Sequence, residues 1–229
     1  MLLKVEENSQ GELVLPYEKL SEGQNYWIAD EFFYHKDALK LANRCFGLKK
    51  WKYGKPYTNE LWPGARSANA LRPKELLKVE SFVKEVTGAR KLYVANSEKV
   101  VVDTNTAILV GSEEGKARPH SDSRLLCKYA AVLYLNPKPD PAGGTSFYRQ
   151  NLANGKLGGN TVPYPHVNLV DALKTNALPV DAWVEDEVIE NRFNRLIVFK
   201  GNMVHSASKY FGKDKRDKRL AVTFFWLAD

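Results

Sequence analysis

Helices come first in this chain and strands follow, and that order limits the folds open to it. Hydrophobic periodicity predicts helices over residues 36–47 and 73–87, whereas short β-rich runs alternate with turns from residue 91 onwards. This order is typical of a sandwich or jelly roll with helices packed against one sheet. With 229 residues, 44% of them hydrophobic, the chain is long enough for one undivided domain with a full core.

Each predicted helix has an apolar face. In the first helix the face comprises Ala38, Leu39, Leu41, Ala42 and Cys45. In the second, which Pro73 begins and Gly88 ends, it comprises Leu76, Leu77, Val79, Phe82, Val83 and Val86. We therefore predict a single domain over residues 1–229, with a helical N-terminal support region (1–90), a jelly-roll core (91–229) and an insertion in that core at 149–178.

The last predicted strand, residues 219–226, has two different faces. Alternation places Leu220, Val222, Phe224 and Trp226 on one face, which should pack against the helices. The other face carries Arg219, Ala221, Thr223 and Phe225. A buried arginine is costly unless it meets an anion. Arg219 therefore either pairs with a buried carboxylate of the protein or receives a carboxylate ligand.

A histidine and an aspartate lie two residues apart at His120 and Asp122. If residues 118–123 form a strand, the two side chains point to the same face. His205 comes just past the turn that follows the predicted strand 194–199, and it can supply a third ligand. Two histidines and one carboxylate form the facial triad of non-haem Fe(II) oxygenases. The alternative is a hydrogen-bonded His–Asp pair without a metal.

Two segments are candidates for the walls of a substrate site. The aromatic-rich residues 51–67 contain a Pro63-Gly64 turn, which should hold Arg66 on a loop. Arg66 could form a salt bridge to the body of the fold or clamp a substrate carboxylate. The second segment is the Gly- and Pro-rich insertion 149–178, since long loops in compact domains often bind ligands. His166 in this insertion is expected to pack within the loop.

The strand predicted over 128–137 is followed by Gly143 and Gly144, which permit a bulge or a close backbone approach where the next strand starts. His35 is expected at the surface or as a cap at the start of the first helix.

Charge and cysteine content favour a cytoplasmic protein with a solvated surface. Lys and Arg number 34 and Asp and Glu 27, which gives a net charge of +7. Acidic residues are mixed into the basic run 213–219 and no nucleic-acid-binding motif is present, so nucleic acid is not expected as a partner. Cys45 and Cys127 are far apart without a CxxC motif, which indicates reduced thiols. Neither a signal peptide nor a membrane span is expected.

Several motifs resemble those of prolyl-hydroxylase-like Fe(II)/2-oxoglutarate-dependent dioxygenases over roughly residues 115–228. They are HSD at 120–122, YLNP at 134–137, GGTSFY at 143–148, NRLIVF at 194–199, His205 and RLAVTFFW at 219–226. The resemblance implies a mainly β, α+β fold with a double-stranded β-helix core of the jelly-roll or cupin type.

The resemblance also implies residue roles. Arg219 would bind the distal carboxylate of 2-oxoglutarate, with Thr223 assisting. Tyr134 would either donate a hydrogen bond to that carboxylate or be a core tyrosine. The charged run 210–218 lengthens the gap between His205 and Arg219, so it should form a surface hairpin. The residues implied as ligands of Fe(II) are His120, Asp122 and His205.

The implied reaction is hydroxylation of an unactivated C–H bond, with O2 as co-substrate and with release of succinate and CO2. The carboxylate of Asp122 favours hydroxylation over halogenation, in which a small residue replaces it. The substrate would be an amino acid, a small metabolite or a peptide side chain. The other readings are a non-catalytic cupin-like metal-binding or sensor protein and a nucleic-acid-directed oxygenase. The sequence leaves the oligomeric state open.

Overall fold

Two antiparallel sheets of unequal size face each other and form the framework of the fold. The computed structural model describes residues 3–53, 62–97, 100–101, 104–116, 118–176 and 178–229. Three α-helices lie in these residues, α1 (His35–Phe46), α2 (Pro73–Thr87) and α3 (Leu169–Leu173). Single 3-10 turns lie at Pro141–Gly143 and Val180–Ala182.

The strands of the described residues are numbered in chain order. They are β1 (Glu6–Glu7), β2 (Leu13–Val14), β3 (Tyr26–Ala29), β4 (Lys52–Tyr53), β5 (Ala65–Ala68), β6 (Leu92–Tyr93), β7 (Asn96–Ser97), β8 (Val100–Val101), β9 (Thr106–Val110), β10 (Tyr129–Tyr134), β11 (Thr145–Gln150), β12 (Trp183–Ile189), β13 (Leu196–Lys200), β14 (His205–Ala207) and β15 (Arg219–Ala228).

The larger sheet has the strand order β3-β13-β10-β15-β9-β5-β4, and β6 pairs with the end of β15. The smaller sheet has the order β12-β11-β14. The fold is therefore a double-stranded β-helix, as predicted. The region 1–90 is not only helical, because it also supplies β3, β4 and β5 to the larger sheet.

The helices cover the outer face of the larger sheet. The side chains of Leu220, Val222, Phe224 and Trp226 on β15 belong to the same buried core as Leu41 and Cys45 of α1 and Val79 and Val83 of α2. This confirms the two faces predicted for the last strand. One predicted member of the α2 face is wrong, since Leu77 is 59% exposed. It lies two residues from Val79, which is about 200° around a helix of 3.6 residues per turn.

A second core fills one end of the space between the two sheets. It includes Tyr134 on β10, Phe147 on β11, Phe199 on β13 and Ala221 on β15. The inner face of β15 therefore packs here, opposite its helix-facing side. The rest of the space between the sheets is open and forms a cavity.

The two glycines before β11 allow a close backbone approach, as predicted. A Cβ atom on Gly144 would lie 1.8 Å from the carbonyl oxygen of Ile189 on the neighbouring strand β12. A Cβ atom on Gly143 would lie 2.4 Å from the Phe211 ring. At position 144 only glycine fits without movement of the backbone, whereas a side chain at position 143 would require the Phe211 ring to move.

Two predicted segments differ from the structure in their bounds. The strand expected over 128–137 covers only Tyr129–Tyr134. The insertion 149–178 is not wholly irregular, because β11 continues to Gln150 and α3 lies within it.

The charged run before β15 is an exposed turn. Residues 213–217 are exposed, Gly212 has a φ of 78°, and the backbone N–H of Lys218 donates to the carbonyl of Asp214 at 3.0 Å. The backbone N–H of Arg219 then donates to the carbonyl of Phe211 at 3.2 Å. The longer gap between His205 and Arg219 is thus taken up at the surface. None of the helices in the described parts of the chain is long and apolar enough to span a bilayer.

Candidate metal centre and cavity

Three side chains from different parts of the chain converge inside the fold. His205 lies on β14, and its backbone exchanges two hydrogen bonds with His120, at 2.8 and 3.0 Å. The backbone N–H of Asp122 donates to the carbonyl of Gly201 at 2.8 Å. One potential ligand atom from each of the three residues lies within 4.8 Å of the others. The sequence-based prediction that these residues meet agrees with this geometry.

The local structure that brings them together is not the predicted strand. Residues 121–123 have no regular secondary structure, and His120 makes only a single-residue bridge. Asp122 is therefore held by its contact with Gly201 and not by strand alternation. His120 and Asp122 are separated only by Ser121, and both still line the same cavity.

Hydrogen bonds to backbone carbonyls orient both histidines. Nδ1 of His120 lies 2.8 Å from the carbonyl oxygen of Arg118, and Nδ1 of His205 lies 2.9 Å from that of Met203. A carbonyl oxygen only accepts, so each Nδ1 carries the proton and each Nε2 keeps its lone pair. Protein ligands of metals are commonly oriented in this way. The two imidazoles and the carboxylate fit Fe(II) in a 2-His-1-carboxylate site.

Burial sets the charges of the three groups. It lowers the pKa of His120 to about 4, with the neighbouring His205 contributing, and it lowers the pKa of His205 to about 4. Both rings are therefore neutral at pH 7, which is the form that binds metal. Burial raises the pKa of Asp122 to about 6, against the opposing effect of His120. Nε2 of His205 is 3.9 Å from Oδ2 of Asp122, which is beyond hydrogen-bond distance.

Cys127 contacts the carboxylate of this cluster, a contact that no sequence pattern predicted. Its Sγ lies 3.5 Å from Oδ2 of Asp122 and donates to it. Burial raises the pKa of Cys127, so the thiol keeps its proton. The backbone N–H of Cys127 donates to the carbonyl of Ser123 at 2.8 Å, which closes the turn that brings the thiol back to Asp122.

The three converging residues line a cavity of about 430 Å³. This volume lies within the range of about 300–1,000 Å³ usual for small-molecule sites. Its walls are largely apolar and include Ile108, Val110, Val132, Leu169, Phe199 and Phe225. Its polar lining includes Thr145, Tyr210, Arg219 and Thr223.

Arg219 is buried in the wall of the cavity, and no carboxylate of the described residues is paired with it. It is 5% exposed, and its Nε and Nη2 donate to the carbonyls of Gly143 at 2.6 Å and Gly144 at 3.1 Å. In the described part of the chain, no Asp or Glu forms an ion pair with it. Two alternatives were predicted for Arg219, pairing with a buried carboxylate of the protein or binding a carboxylate ligand. The described residues contain no such carboxylate partner.

The tyrosine expected beside Arg219 is more deeply buried than a ligand contact requires. Tyr134 is fully buried, its hydroxyl lies 2.8 Å from Oγ1 of Thr145, and it is not part of the cavity lining. The guanidinium carbon of Arg219 lies 5.4 Å from the centre of its ring. Tyr210, which sequence reasoning missed, does line the cavity. Burial raises the pKa of Tyr210, while the charges of Arg219 and Arg66 lower it.

Parts of both predicted wall segments line the cavity. From residues 51–67 these are Trp62, Pro63 and Arg66, and Tyr57 lies outside the described residues. Arg66 lies on β5 and not on a loop, because the Pro63-Gly64 turn leads directly into that strand. Its Nη1 donates to the carbonyls of Trp62 at 3.5 Å and Pro63 at 3.1 Å.

From the insertion 149–178, four residues line the cavity: Asn168, Leu169, Val170 and Leu178. His166 is not among the lining residues. Its Nδ1 lies 3.4 Å from Oδ2 of Asp171, and its carbonyl accepts from Nε of Arg124 at 2.9 Å.

Solved structures similar to this chain share its fold. A non-haem alpha-ketoglutarate-dependent carbocyclase, SnoK from nogalamycin biosynthesis, has a TM-score of 0.55 at 12% identity, covering 92% of this chain and 85% of its own. A prolyl hydroxylase from Trichoplax adhaerens, in complex with a peptide of hypoxia inducible factor, has a TM-score of 0.52 at 11% identity, covering 89% and 84%. HygX from Streptomyces hygroscopicus, with nickel and 2-oxoglutarate bound, has a TM-score of 0.50 at 11% identity, covering 91% and 87%.

At these identities the similarity establishes the fold alone. No curated protein matches the sequence. A family model does match it, over residues 14–157, which is more than half of the chain and includes His120 and Asp122. The chain therefore belongs to DUF6445, a family of unknown function.

Proposed function

We propose that this protein is an Fe(II)- and 2-oxoglutarate-dependent dioxygenase that hydroxylates an amino acid, a small metabolite or a peptide side chain. One observation carries the proposal: His120, Asp122 and His205 line the same cavity as Arg219, a buried arginine with no carboxylate partner among the described residues. The similarity of the fold to Fe(II)/2-oxoglutarate enzymes supports it.

In this proposal Nε2 of each histidine and the carboxylate of Asp122 hold Fe(II). The bound metal and 2-oxoglutarate supply the oxidising chemistry, with O2 consumed and succinate and CO2 released. Arg219 binds the distal carboxylate of 2-oxoglutarate, because a guanidinium matches a carboxylate in shape and charge. Thr223 lines the cavity two residues along β15 and assists there.

The protein's own groups also exclude water. Apolar side chains form most of the walls, so few solvent molecules can compete with a substrate next to the metal. Tyr134 supports this end of the site through Thr145, which its hydroxyl contacts. The free thiols Cys45 and Cys127 are both buried and agree with a reducing, cytoplasmic location.

The test is an anaerobic titration with Fe(II) and 2-oxoglutarate, followed by the visible charge-transfer band of their chelate. We expect the band in the wild-type protein and in His166→Ala, whose ring lies outside the cavity lining, and no band in His120→Ala. Admission of O2 should then yield succinate from the first two proteins only. A wild-type protein that binds Fe(II) but gives no band with 2-oxoglutarate would instead be a non-catalytic metal-binding protein.

A further inference from the structure

A tyrosine of the cavity wall is held next to Arg219 by the backbone on either side of it. The backbone N–H of Ser208 donates to the carbonyl of Gly144 at 3.2 Å, and Nη2 of Arg219 donates to the same carbonyl at 3.1 Å. Further along, the carbonyl of Phe211 accepts from the backbone N–H of Arg219 at 3.2 Å. Tyr210 lies between these two anchors and lines the cavity together with Arg219. The chain thus fixes Tyr210 beside the start of β15.

The hydroxyl of Tyr210 is a hydrogen-bond donor that the fold does not use. Within the described residues it makes no hydrogen bond. Burial raises the pKa of Tyr210, while the charges of Arg219 and Arg66 lower it, and the net effect is a rise, so the hydroxyl keeps its proton at neutral pH. A polar group that lies in a largely apolar cavity without a partner costs free energy. A ligand that accepts from Tyr210 would remove this cost.

Tyr134, the tyrosine that the resemblance assigns to the distal carboxylate, already has a partner. Its hydroxyl lies 2.8 Å from Oγ1 of Thr145, and the residue is fully buried and outside the cavity lining. Burial raises the pKa of Tyr134, with the charge of Arg219 and the hydrogen bond to Thr145 opposing it. Both tyrosines are therefore close enough to Arg219 to feel its charge, but only Tyr210 reaches the cavity.

The guanidinium of Arg219 can satisfy a carboxylate only in part. Its Nε and Nη2 donate to the carbonyls of Gly143 and Gly144, so this edge of the fork faces the backbone. A carboxylate has two oxygens, each of which can accept more than one hydrogen bond. A second donor next to Arg219 would complete the pairing.

We propose that Tyr210, and not Tyr134, donates a hydrogen bond to the distal carboxylate of 2-oxoglutarate next to Arg219. This inference rests on the proposed function, since it takes Arg219 to bind that carboxylate. Tyr210 is then a cofactor-binding residue. It favours a keto acid with a second carboxylate over one that ends in a methyl group, because a methyl group accepts no hydrogen bond.

The experiment is an anaerobic titration of the full chain loaded with Fe(II), followed by the charge-transfer band. Two keto acids are compared, 2-oxoglutarate and 2-oxopentanoate, in which a methyl group replaces the distal carboxylate. Tyr210→Phe should raise the Kd for 2-oxoglutarate by about tenfold or more, as expected for loss of a hydrogen bond to a charged group. It should leave the Kd for 2-oxopentanoate unchanged. Tyr134→Phe should raise the Kd for 2-oxoglutarate less than Tyr210→Phe does.

Two controls separate the lost hydrogen bond from a disturbed fold. Tyr34→Phe makes the same change at a tyrosine that is 83% exposed and outside the cavity lining, and it should behave as the wild type. Each variant is also loaded with Co(II) in place of Fe(II), and its absorption spectrum reports the geometry of the metal site. This spectrum should be the same in Tyr210→Phe and in the wild type.

The outcomes distinguish this inference from the proposed function. A wild-type protein without the band contradicts both. If the wild type shows the band, the inference alone is overturned by a wild-type Kd for 2-oxoglutarate in Tyr210→Phe, or by equal weakening of both keto acids in that variant. Equal weakening would mean that the tyrosine only shapes the cavity. A larger loss in Tyr134→Phe than in Tyr210→Phe also overturns the inference and assigns the hydrogen bond to Tyr134.

Discussion

Two arginines of similar burial have very different bonding partners. Arg195, just before β13, is 7% exposed, and Arg219, at the start of β15, is 5% exposed. Nε and Nη2 of Arg195 bind the two carboxylate oxygens of Asp30 at 2.5 and 2.8 Å, and Nη1 donates to the carbonyl of Glu190 at 3.1 Å. The guanidinium of Arg219 donates to the carbonyls of Gly143 and Gly144, and no described carboxylate forms an ion pair with it.

The difference separates an arginine whose charge is paired within the fold from one to which the proposed function assigns a ligand. A bidentate carboxylate satisfies both the N–H groups and the charge of Arg195. Backbone carbonyls satisfy N–H groups of Arg219, but their dipoles do not neutralise its charge. A buried charge without a counterion destabilises a fold. An anion that enters the cavity would remove this penalty for Arg219. It would not stabilise Arg195, whose charge Asp30 already neutralises.

The largest expected effect follows from replacing each arginine by methionine, which keeps much of the side-chain volume. Arg219→Met should raise the Kd for 2-oxoglutarate by about a hundredfold, since removing one partner of a buried charge pair costs about 2–5 kcal/mol. Arg195→Met should change this Kd by less than about twofold, because its guanidinium is bound to Asp30 and is not part of the cavity lining. Anaerobic titration of the charge-transfer band measures both constants. Similar weakening in the two variants would remove the distinction between the arginines.

When stability is measured without ligands, Arg195→Met should have the larger effect and Arg219→Met the smaller one. Arg195→Met should lower the free energy of unfolding by about 2 kcal/mol, because it breaks a bidentate pair and leaves a carbonyl of Glu190 without its donor. Arg219→Met should change it by less than about 1 kcal/mol, since an uncompensated buried charge is replaced by an apolar group. Urea unfolding of the apo proteins tests this.

Adding metal and 2-oxoglutarate sharpens the same experiment. Both cofactors should stabilise the wild type and Arg195→Met by mass action, and stabilise Arg219→Met less. A large loss of stability in apo Arg219→Met would show that the two carbonyl contacts are its main role.

The next largest effect is expected from a comparison of two carboxylates, those of Asp30 and Asp122. Asp30 is bound by a guanidinium, whereas Asp122 accepts from the thiol of Cys127. Loss of such a supporting hydrogen bond typically weakens metal binding by about 10–100-fold. We expect Cys127→Ala to lower Fe(II) affinity by about tenfold and Cys127→Ser, which keeps a donor, to recover most of it.

Cys45→Ala is the matched control for this prediction. Cys45 is also a buried free thiol, but it packs in the helical core and contacts none of the proposed ligands. Metal affinity is measured by competition with a chelator, and the Co(II) spectrum reports the ligand geometry. Equal affinities and spectra in Cys127→Ala and the wild type would mean that the thiol only fills space.

What the sequence revealed about the site depended on residue types that are unusual in their local pattern. Arg219 stands out as a charge at the start of an otherwise apolar strand, and its place on the inner face follows from alternation alone. The helices α1 and α2 were likewise predicted from a local pattern, the periodicity of their apolar residues. His120, Asp122 and His205 were identified by residue type and by resemblance, although the strand assumed for the first two does not form.

The contacts that sequence reasoning missed all depend on distant or irregular segments. Tyr210 lies beyond β14 in a segment without regular secondary structure, and Trp62 contacts His120 from a distant part of the chain. Tyr134 shows the limit of alternation: the pattern gives its face on β10 but not that Thr145 occupies its hydroxyl. Such pairings are set by tertiary packing, which no local pattern encodes.

The smallest expected effect is the pH dependence of the Arg195–Asp30 pair. The hydrogen bond from Arg195 lowers the pKa of Asp30 below its usual value of 3.8. A group whose pKa is lower in the folded state stabilises the fold above its usual pKa, and this contribution is lost as the pH falls through the lowered value.

Asp30→Asn should therefore be less stable than the wild type at pH 7 by no more than about 1 kcal/mol, since Asp30 is partly exposed. Below the usual pKa of the carboxyl, the difference should shrink. Urea unfolding at several pH values measures it. The same substitution made in Arg195→Met should show a much smaller pH-dependent difference, because the largest cause of the lowered pKa is gone and only the weaker effect of Arg192, 3.7 Å from Asp30, remains. A difference that persists unchanged at acid pH, or in the Arg195→Met background, would mean that Asp30 acts through something other than this ion pair.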